Sequence, residues 1–154
     1  MLIKKFLGIA LLMLCLISCS KQVSTTFETV SAKNQAYSLE IPQGYSEYRC
    51  YEDFLSYTRD DGGTIISIQK KPSQESLSEY ANEMKQDTFT YSVVSETPNT
   101  IVYQITRGTN MWRAYEFYGM KEIKGVIYVV KFSSSELSQD NMDDIFNRMM
   151  SSLH

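Results

Sequence analysis

Four strand-like runs joined by short turns fill most of the second half of the chain. They cover residues 90–96, 100–108, 111–120 and 126–132. The second run alternates, with Ile101, Tyr103 and Ile105 on one side. The last run is apolar on both faces, a pattern typical of a central strand that is covered on both sides. Because parallel strands need long crossover connections, turns this short predict an antiparallel meander.

Three further strand-like runs lie upstream of the meander. Tyr37–Pro42 alternates between apolar and polar residues and stops at its proline. Phe54–Thr58 and Thr64–Gln69 flank the stretch RDDGGT, in which either of the two-residue turns within 61–63 is a strong hairpin signal. We therefore expect these two runs to pair as an antiparallel hairpin.

Two amphipathic helices complete the predicted domain. The first begins with a capping box formed by Ser76 and Glu79 and ends near Gln86. Its apolar face consists of Leu77, Tyr80, Ala81 and Met84. The second covers about residues 138–152, and its apolar face is Met142, Ile145, Phe146, Met149 and Leu153. The order of elements predicts a single α+β domain over residues 37–154, in which an antiparallel sheet of about six or seven strands packs with two helices.

This order of elements resembles that of the PsbP-like group, which includes an extrinsic photosystem subunit and many small bacterial domains and lipoproteins. The resemblance begins at the opening YSLEIPQGY, with its aromatic-x-x-x-Ile-Pro pattern, and continues to Leu153. It implies a PsbP-like α-β-α sandwich with a central antiparallel sheet. It carries over neither a catalytic residue nor a photosynthetic role.

The beginning of the chain has the layout of a secretory signal peptide. Lys4 and Lys5 precede an apolar run over residues 6–17. As a helix this run would span only about 18 Å of the roughly 30 Å hydrocarbon core, which makes a stable transmembrane helix the weaker interpretation. The run leads into Leu-Ile-Ser-Cys at residues 16–19, which resembles the lipobox of bacterial lipoproteins. The resemblance implies a signal peptide over residues 1–18 and attachment of fatty acids such as palmitate to Cys19. Two or more acyl chains anchor a protein stably to a membrane.

Residues 19–36 would then form the lipidated N-terminus and a flexible tether. The stretch after Cys19 is rich in serine and threonine and lacks periodicity, although Phe27 and Val30 leave open an extra strand in its second half. We expect the protein to be anchored in the bacterial cell envelope. Ser20, rather than an aspartate, follows Cys19, and by resemblance to lipoprotein sorting rules this favours the outer membrane.

Charge and histidine content restrict the chemistry that is open to the chain. Without Lys4 and Lys5, the 15 basic residues become 13 against 18 acidic ones, so nothing indicates nucleic-acid binding. The one histidine, His154, is the last residue, where chains usually fray, which argues against Ser-His-Asp or Cys-His catalysis. A His/Cys metal site is not available, and we expect neither a metal nor a cofactor.

Aromatic residues indicate where a partner could bind. The candidate aromatic binding surface consists of Tyr45, Tyr48, Tyr51, Trp112 and Arg113. Tyrosine and tryptophan are enriched at recognition surfaces, but aromatic residues also fit the pleat of ordinary sheets, so both interpretations stay open. Cys50, the cysteine left after Cys19, is expected to be a free thiol.

The predicted function is that of a membrane-anchored, non-catalytic binding or protein-interaction module, with an envelope protein or a glycan as its partner. Two alternatives remain, a carboxylate-based hydrolase and a passive structural subunit of an envelope complex. A hydrolase without histidine requires two carboxylates from distant segments that face one pocket, which a structure can test.

Overall fold

The computed structural model describes residues 25–33, 36–51, 54–59, 63–71, 75–85, 88–107 and 112–154, with the backbone alone of residues 107 and 112. The predicted signal peptide, Cys19 and residues 61 and 62 of the predicted hairpin turn lie outside the described residues. Within the described ranges, no helix is long and apolar enough to cross a membrane.

The described residues form nine strands and two helices. The strands are β1 Phe27–Ser31, β2 Ser38–Pro42, β3 Ser46–Tyr51, β4 Phe54–Thr58, β5 Thr64–Lys70, β6 Thr90–Thr97, β7 Thr100–Arg107, β8 Trp112–Ile123 and β9 Val126–Ser134. The helices are α1, Leu77–Glu83, which lies between β5 and β6, and α2, Gln139–Ser152, which follows β9.

Seven of the strands form one antiparallel sheet in the order β3-β4-β5-β9-β8-β7-β6. The predicted meander is confirmed, because β6 to β9 follow one another across half of this sheet. The last strand of the meander, β9, is the central strand of the seven, as its apolar pattern predicts. The predicted hairpin is confirmed as well, with Thr58 of β4 opposite Ile65 of β5. The α+β prediction therefore holds.

One face of the sheet, which we call the covered face, packs against α2 and the β1–β2 hairpin. The apolar residues predicted for the second helix are all buried, four of them within α2 and the last at its C-cap: Met142, Ile145, Phe146, Met149 and Leu153. They form one core with sheet residues such as Phe117, Val130 and Phe132. The ring centroids of Phe117 and Phe146 lie 5.4 Å apart.

The opposite face, which we call the half-covered face, packs against α1. The predicted capping box is present, since Ser76 Oγ accepts from the Glu79 N–H at 3.2 Å and the Ser76 N–H donates to Glu79 Oε2 at 2.7 Å. Leu77, Tyr80 and Ala81 are buried as predicted, but Met84, at the end of the helix, is exposed. The helix has only seven residues and packs on β7 and β8, so it shields a small part of the sheet.

The first three strands refine the prediction. Residues 27–31 form β1, the extra strand that Phe27 and Val30 leave open in the second half of the tether, and β1 pairs with β2, with Phe27 opposite Pro42. The YSLEIP strand, β2, therefore lies in a two-stranded sheet of its own, and β3 occupies the edge of the large sheet instead. β3 escapes prediction because all of its side chains except half-buried Cys50 are exposed, so its sequence shows no alternation.

The C-terminal residue is held, which corrects the expectation that it frays. The His154 N–H donates to the Ser38 carbonyl oxygen at 3.0 Å, and the Ser38 N–H donates to the His154 carbonyl oxygen at 2.8 Å. The exposed imidazole lies 3.1 Å from Ser38 Oγ and 2.6 Å from the Ser152 carbonyl oxygen. Arg148 adds an ion pair with Glu40 at 2.7 Å. These contacts bind α2 to β2 and make the hairpin part of the domain.

Candidate functional site

The structure separates the three tyrosines of the predicted aromatic surface. Tyr48 and Tyr51 are strongly exposed on β3, with 63% and 67% of their surfaces accessible to solvent. Tyr45 lies just before β3 and is only 9% exposed, because it packs into the core of the covered face. The assignment of Tyr45 to an exposed surface is therefore wrong.

The other two predicted residues lie in a different part of the sheet. Arg113 is exposed near the start of β8, next to Trp112, whose side chain is outside the described part of the chain. Four strand spacings separate β8 from β3, which amounts to about 19 Å at the usual spacing between strands. The structure therefore does not bring Arg113 together with Tyr48 and Tyr51 in one surface.

What remains of the predicted surface is an aromatic edge, which we define as Tyr48, Arg49 and Tyr51 of β3. The Arg49 guanidinium carbon lies 5.1 Å from the centroid of the Tyr48 ring, within the range of a cation–π contact. β3 is the outermost strand of the large sheet. Edge strands present N–H and C=O groups that an extended segment of another protein can pair with. Tyrosine and arginine are also the residue types that contribute most to binding at protein interfaces.

A second site, which the sequence reasoning missed, lies on the half-covered face beside α1. This cavity, which we call the Glu116 groove, has a volume of about 240 Å³. It combines apolar, aromatic and polar side chains: Ile65, Met84, Phe89, Tyr91, Ile105, Ala114, Glu116, Lys131 and Ser133. The groove lies beside the end of α1, which has only seven residues and leaves this part of the sheet uncovered.

A charged pair forms the floor of the Glu116 groove. Lys131 Nζ lies 2.8 Å from Glu116 Oε1, and the two side chains are only 20% and 10% exposed. The Tyr118 hydroxyl donates to Glu116 Oε2 at 2.8 Å. Burial and the neighbouring Glu116 carboxylate raise the pKa of Tyr118 well above its usual range, so the hydroxyl keeps the proton that it donates. Charges that are largely removed from solvent must be paired and hydrogen-bonded, and both conditions hold for Glu116.

The sequence does contain a signal for this floor. Glu116 and Lys131 are charged residues inside the strand segments YEFY and VVKF, where aromatic and apolar residues surround them. The pairing of β8 with β9 places Tyr118 opposite Lys131, so that Glu116, two residues away, reaches the lysine diagonally. A search for paired charges within predicted central strands would have found them.

Three cavities in the described part of the chain bear on the hydrolase alternative. Each has one carboxylate in its lining: Asp144 beside the β1–β2 hairpin, Glu122 beside the C-terminus, and Glu116 in the groove. None of the three therefore supplies the two carboxylates that a glycosidase mechanism needs. The described residues also contain no group of three His, Cys, Asp or Glu side chains arranged to hold a metal ion.

Comparison with known proteins gives matches of fold. No protein-family model matches the chain, and no curated protein matches it either. Among solved structures, it is similar to cyanobacterial PsbP (CyanoP) from Synechocystis sp. PCC 6803, with a TM-score of 0.59 and 15% identity over 90% of this chain and 98% of that one. A protein from Bacteroides thetaiotaomicron is also similar, with a TM-score of 0.54 and 9% identity over 82% of this chain. This chain covers 47% of the length of the Bacteroides protein. At these identities the likeness concerns the fold alone, and the fold of this chain is PsbP-like.

Proposed function

We propose that this chain is a lipid-anchored accessory module of the bacterial cell envelope that binds another protein and catalyses no reaction itself. The observation that carries the proposal is the aromatic edge, in which Tyr48 and Tyr51 are strongly exposed on an edge strand beside Arg49. Exposed tyrosines in such a position contribute little to the stability of their own domain. They can contribute strongly to the binding of a partner, because large aromatic residues bury much area at a low entropy cost.

The anchor is supported by the sequence at residues 16–19 and by the position at which the folded domain begins. β1 starts at Phe27, so about seven residues separate it from Cys19. A fully extended segment of that length reaches about 25 Å. A lipid on Cys19 would therefore hold the domain close to the membrane surface, where it meets other envelope proteins. By the same sorting resemblance as above, Ser20 after Cys19 favours the outer membrane.

Metabolic labelling with palmitate tests the anchor. We expect the Cys19→Ala protein to take up no label and to remain uncleaved after residue 18, because the acylated thiol is missing. Cys15→Ala is the matched control, since it removes a cysteine from the same segment, and it should be labelled like the wild type. Uptake of palmitate by the Cys19→Ala protein would show that the anchor is assigned to the wrong residue.

Crosslinking in intact cells, followed by quantitative recovery of the lipidated protein, tests the binding function. We expect the same envelope partner to be recovered reproducibly with the wild type. The amount recovered should fall at least about tenfold with the double variant Tyr48→Ser/Tyr51→Ser, because it removes the two aromatic side chains that are proposed to anchor the interface. The matched control is Val93→Ser/Val94→Ser, which changes two exposed residues on β6 at the other edge of the sheet. Both double variants should change the free energy of unfolding by less than about 1 kcal/mol, since all four residues are exposed.

Two results would contradict the binding proposal. Equal recovery of the partner by the two double variants would show that the aromatic edge is not the interface. A failure to recover any reproducible partner with the wild-type protein would argue against an interaction module altogether.

A further inference from the structure

The floor of the Glu116 groove can still form hydrogen bonds to a ligand. A carboxylate oxygen can accept two hydrogen bonds, and an ammonium group has three donors. Lys131 occupies one position on Oε1 of Glu116, and the Tyr118 hydroxyl occupies one on Oε2. The remaining acceptor positions of Glu116 and the remaining N–H groups of Lys131 lie side by side, because the two charged groups are 2.8 Å apart.

The charge of the floor selects an uncharged ligand. Glu116 and Lys131 neutralise one another. An anion attracted to the ammonium group would be repelled by the carboxylate, and a cation attracted to the carboxylate would be repelled by the ammonium group. The suitable ligand has a hydrogen-bond donor and an acceptor on neighbouring atoms. Two adjacent hydroxyl groups of a sugar have this property, since one can accept from Lys131 while the other donates to Glu116.

The walls and the size of the groove agree with this choice. Phe89 and Tyr91 line it and are partly exposed, so apolar C–H groups of a ligand can pack against aromatic side chains, while the half-buried Ser133 adds a hydroxyl. The volume of about 240 Å³ is below the usual range for drug-sized ligands and suits a single ring. The groove is open to solvent along exposed Ile65 and Met84, so the rest of a chain of sugars can extend outwards.

We propose that the Glu116 groove binds one ring of an uncharged oligosaccharide through two adjacent hydroxyl groups, with Glu116 and Lys131 as the hydrogen-bonding pair and Tyr91 as part of the aromatic wall. This site is separate from the aromatic edge and does not depend on the proposed protein partner. The two proposals can therefore fail independently.

Titration of the protein, observed by its amide NMR spectrum, tests the proposal. The probes are maltotriose, cellotriose and the uncharged N-acetylated trimer triacetylchitotriose, and sodium acetate serves as a probe of simple anion binding. We expect at least one trisaccharide to shift the amide signals of residues around Glu116 and Lys131, and acetate to shift none of them. Glu116→Gln should weaken that binding at least about tenfold. The glutamine keeps the shape and an oxygen that accepts from Tyr118, but it lacks the negative charge that strengthens the hydrogen bond from a sugar hydroxyl.

Two further variants distinguish a loss of binding from a loss of folding. Tyr91→Leu leaves the floor intact and should also weaken binding, whereas Tyr48→Ser, on the distant aromatic edge, should leave the affinity unchanged. Amide signals outside the groove should be the same in all variants. The proposal is overturned if none of the trisaccharides shifts the groove residues, if acetate alone shifts them, or if Glu116→Gln and Tyr91→Leu bind a trisaccharide as tightly as the wild type.

Discussion

The two faces of the large sheet are covered by other elements to different extents. The covered face meets a helix of 14 residues and the β1–β2 hairpin, and it contains Phe117, Val130 and Phe132. The half-covered face meets a helix of seven residues, and on this face the same strands carry Tyr118, Val129 and Lys131. Burial of apolar area stabilises a fold in proportion to its extent. The covered face therefore contributes more buried apolar area to the domain, whereas part of the half-covered face is left as the Glu116 groove.

Replacement of Phe146 should have the largest effect and tests this division directly. Phe146→Ala removes a buried ring from α2 that packs against Phe117, and we expect the free energy of unfolding to fall by about 3–5 kcal/mol. The matched change on the other face is Met84→Ala, at the end of α1, which should cost less than about 1 kcal/mol because Met84 is exposed. Urea unfolding measures both. Similar losses from the two variants would contradict the division of roles.

A glycine beneath α2 provides the next test. A Cβ atom added to Gly119 of β8 would lie 2.6 Å from Met150 Sδ and 2.8 Å from Phe146 Cζ, closer than atoms can pack. We expect Gly119→Ala to lower the free energy of unfolding by about 1–3 kcal/mol through overpacking. In a Met150→Ala background the loss should be smaller, because the nearest atom is gone. A Gly119→Ala protein as stable as the wild type would show that the covered face is packed more loosely than the structure indicates.

The two helices and the central strand are the parts that the sequence predicts best. The apolar residues of α2 recur at helical spacing, and the last strand is apolar on both sides, so that their burial follows from periodicity alone. The capping box at Ser76 likewise depends only on residues three apart in the chain. Such local patterns are visible in one sequence because the structure that they form is itself local.

The contacts between strands and the edges of the sheet are harder to predict, because they depend on pairings between distant segments. The two-residue turn Lys124-Gly125, in which both residues have a positive φ, sets the register of β8 on β9. A shift of this register by one residue would place Lys131 on the other face of the sheet and break its ion pair with Glu116. The burial of Tyr45 and the exposure of Tyr48 depend similarly on where β3 joins the sheet, for which its own sequence gives no alternating pattern.

The N-cap of α1 should give the smallest of these effects, and one confined to the half-covered face. Ser76→Ala removes the oxygen that accepts from the Glu79 N–H, and loss of such a cap typically costs about 1 kcal/mol. Native-state hydrogen exchange should show faster exchange in Leu77–Glu83, with the amides of α2 unchanged, because the two helices lie on opposite faces of the sheet. Ser78→Ala, within the same helix, is the control that leaves the cap in place. Equal acceleration in both helices would mean that α1 and α2 open together, and the two faces would then have to be treated as one cooperative unit.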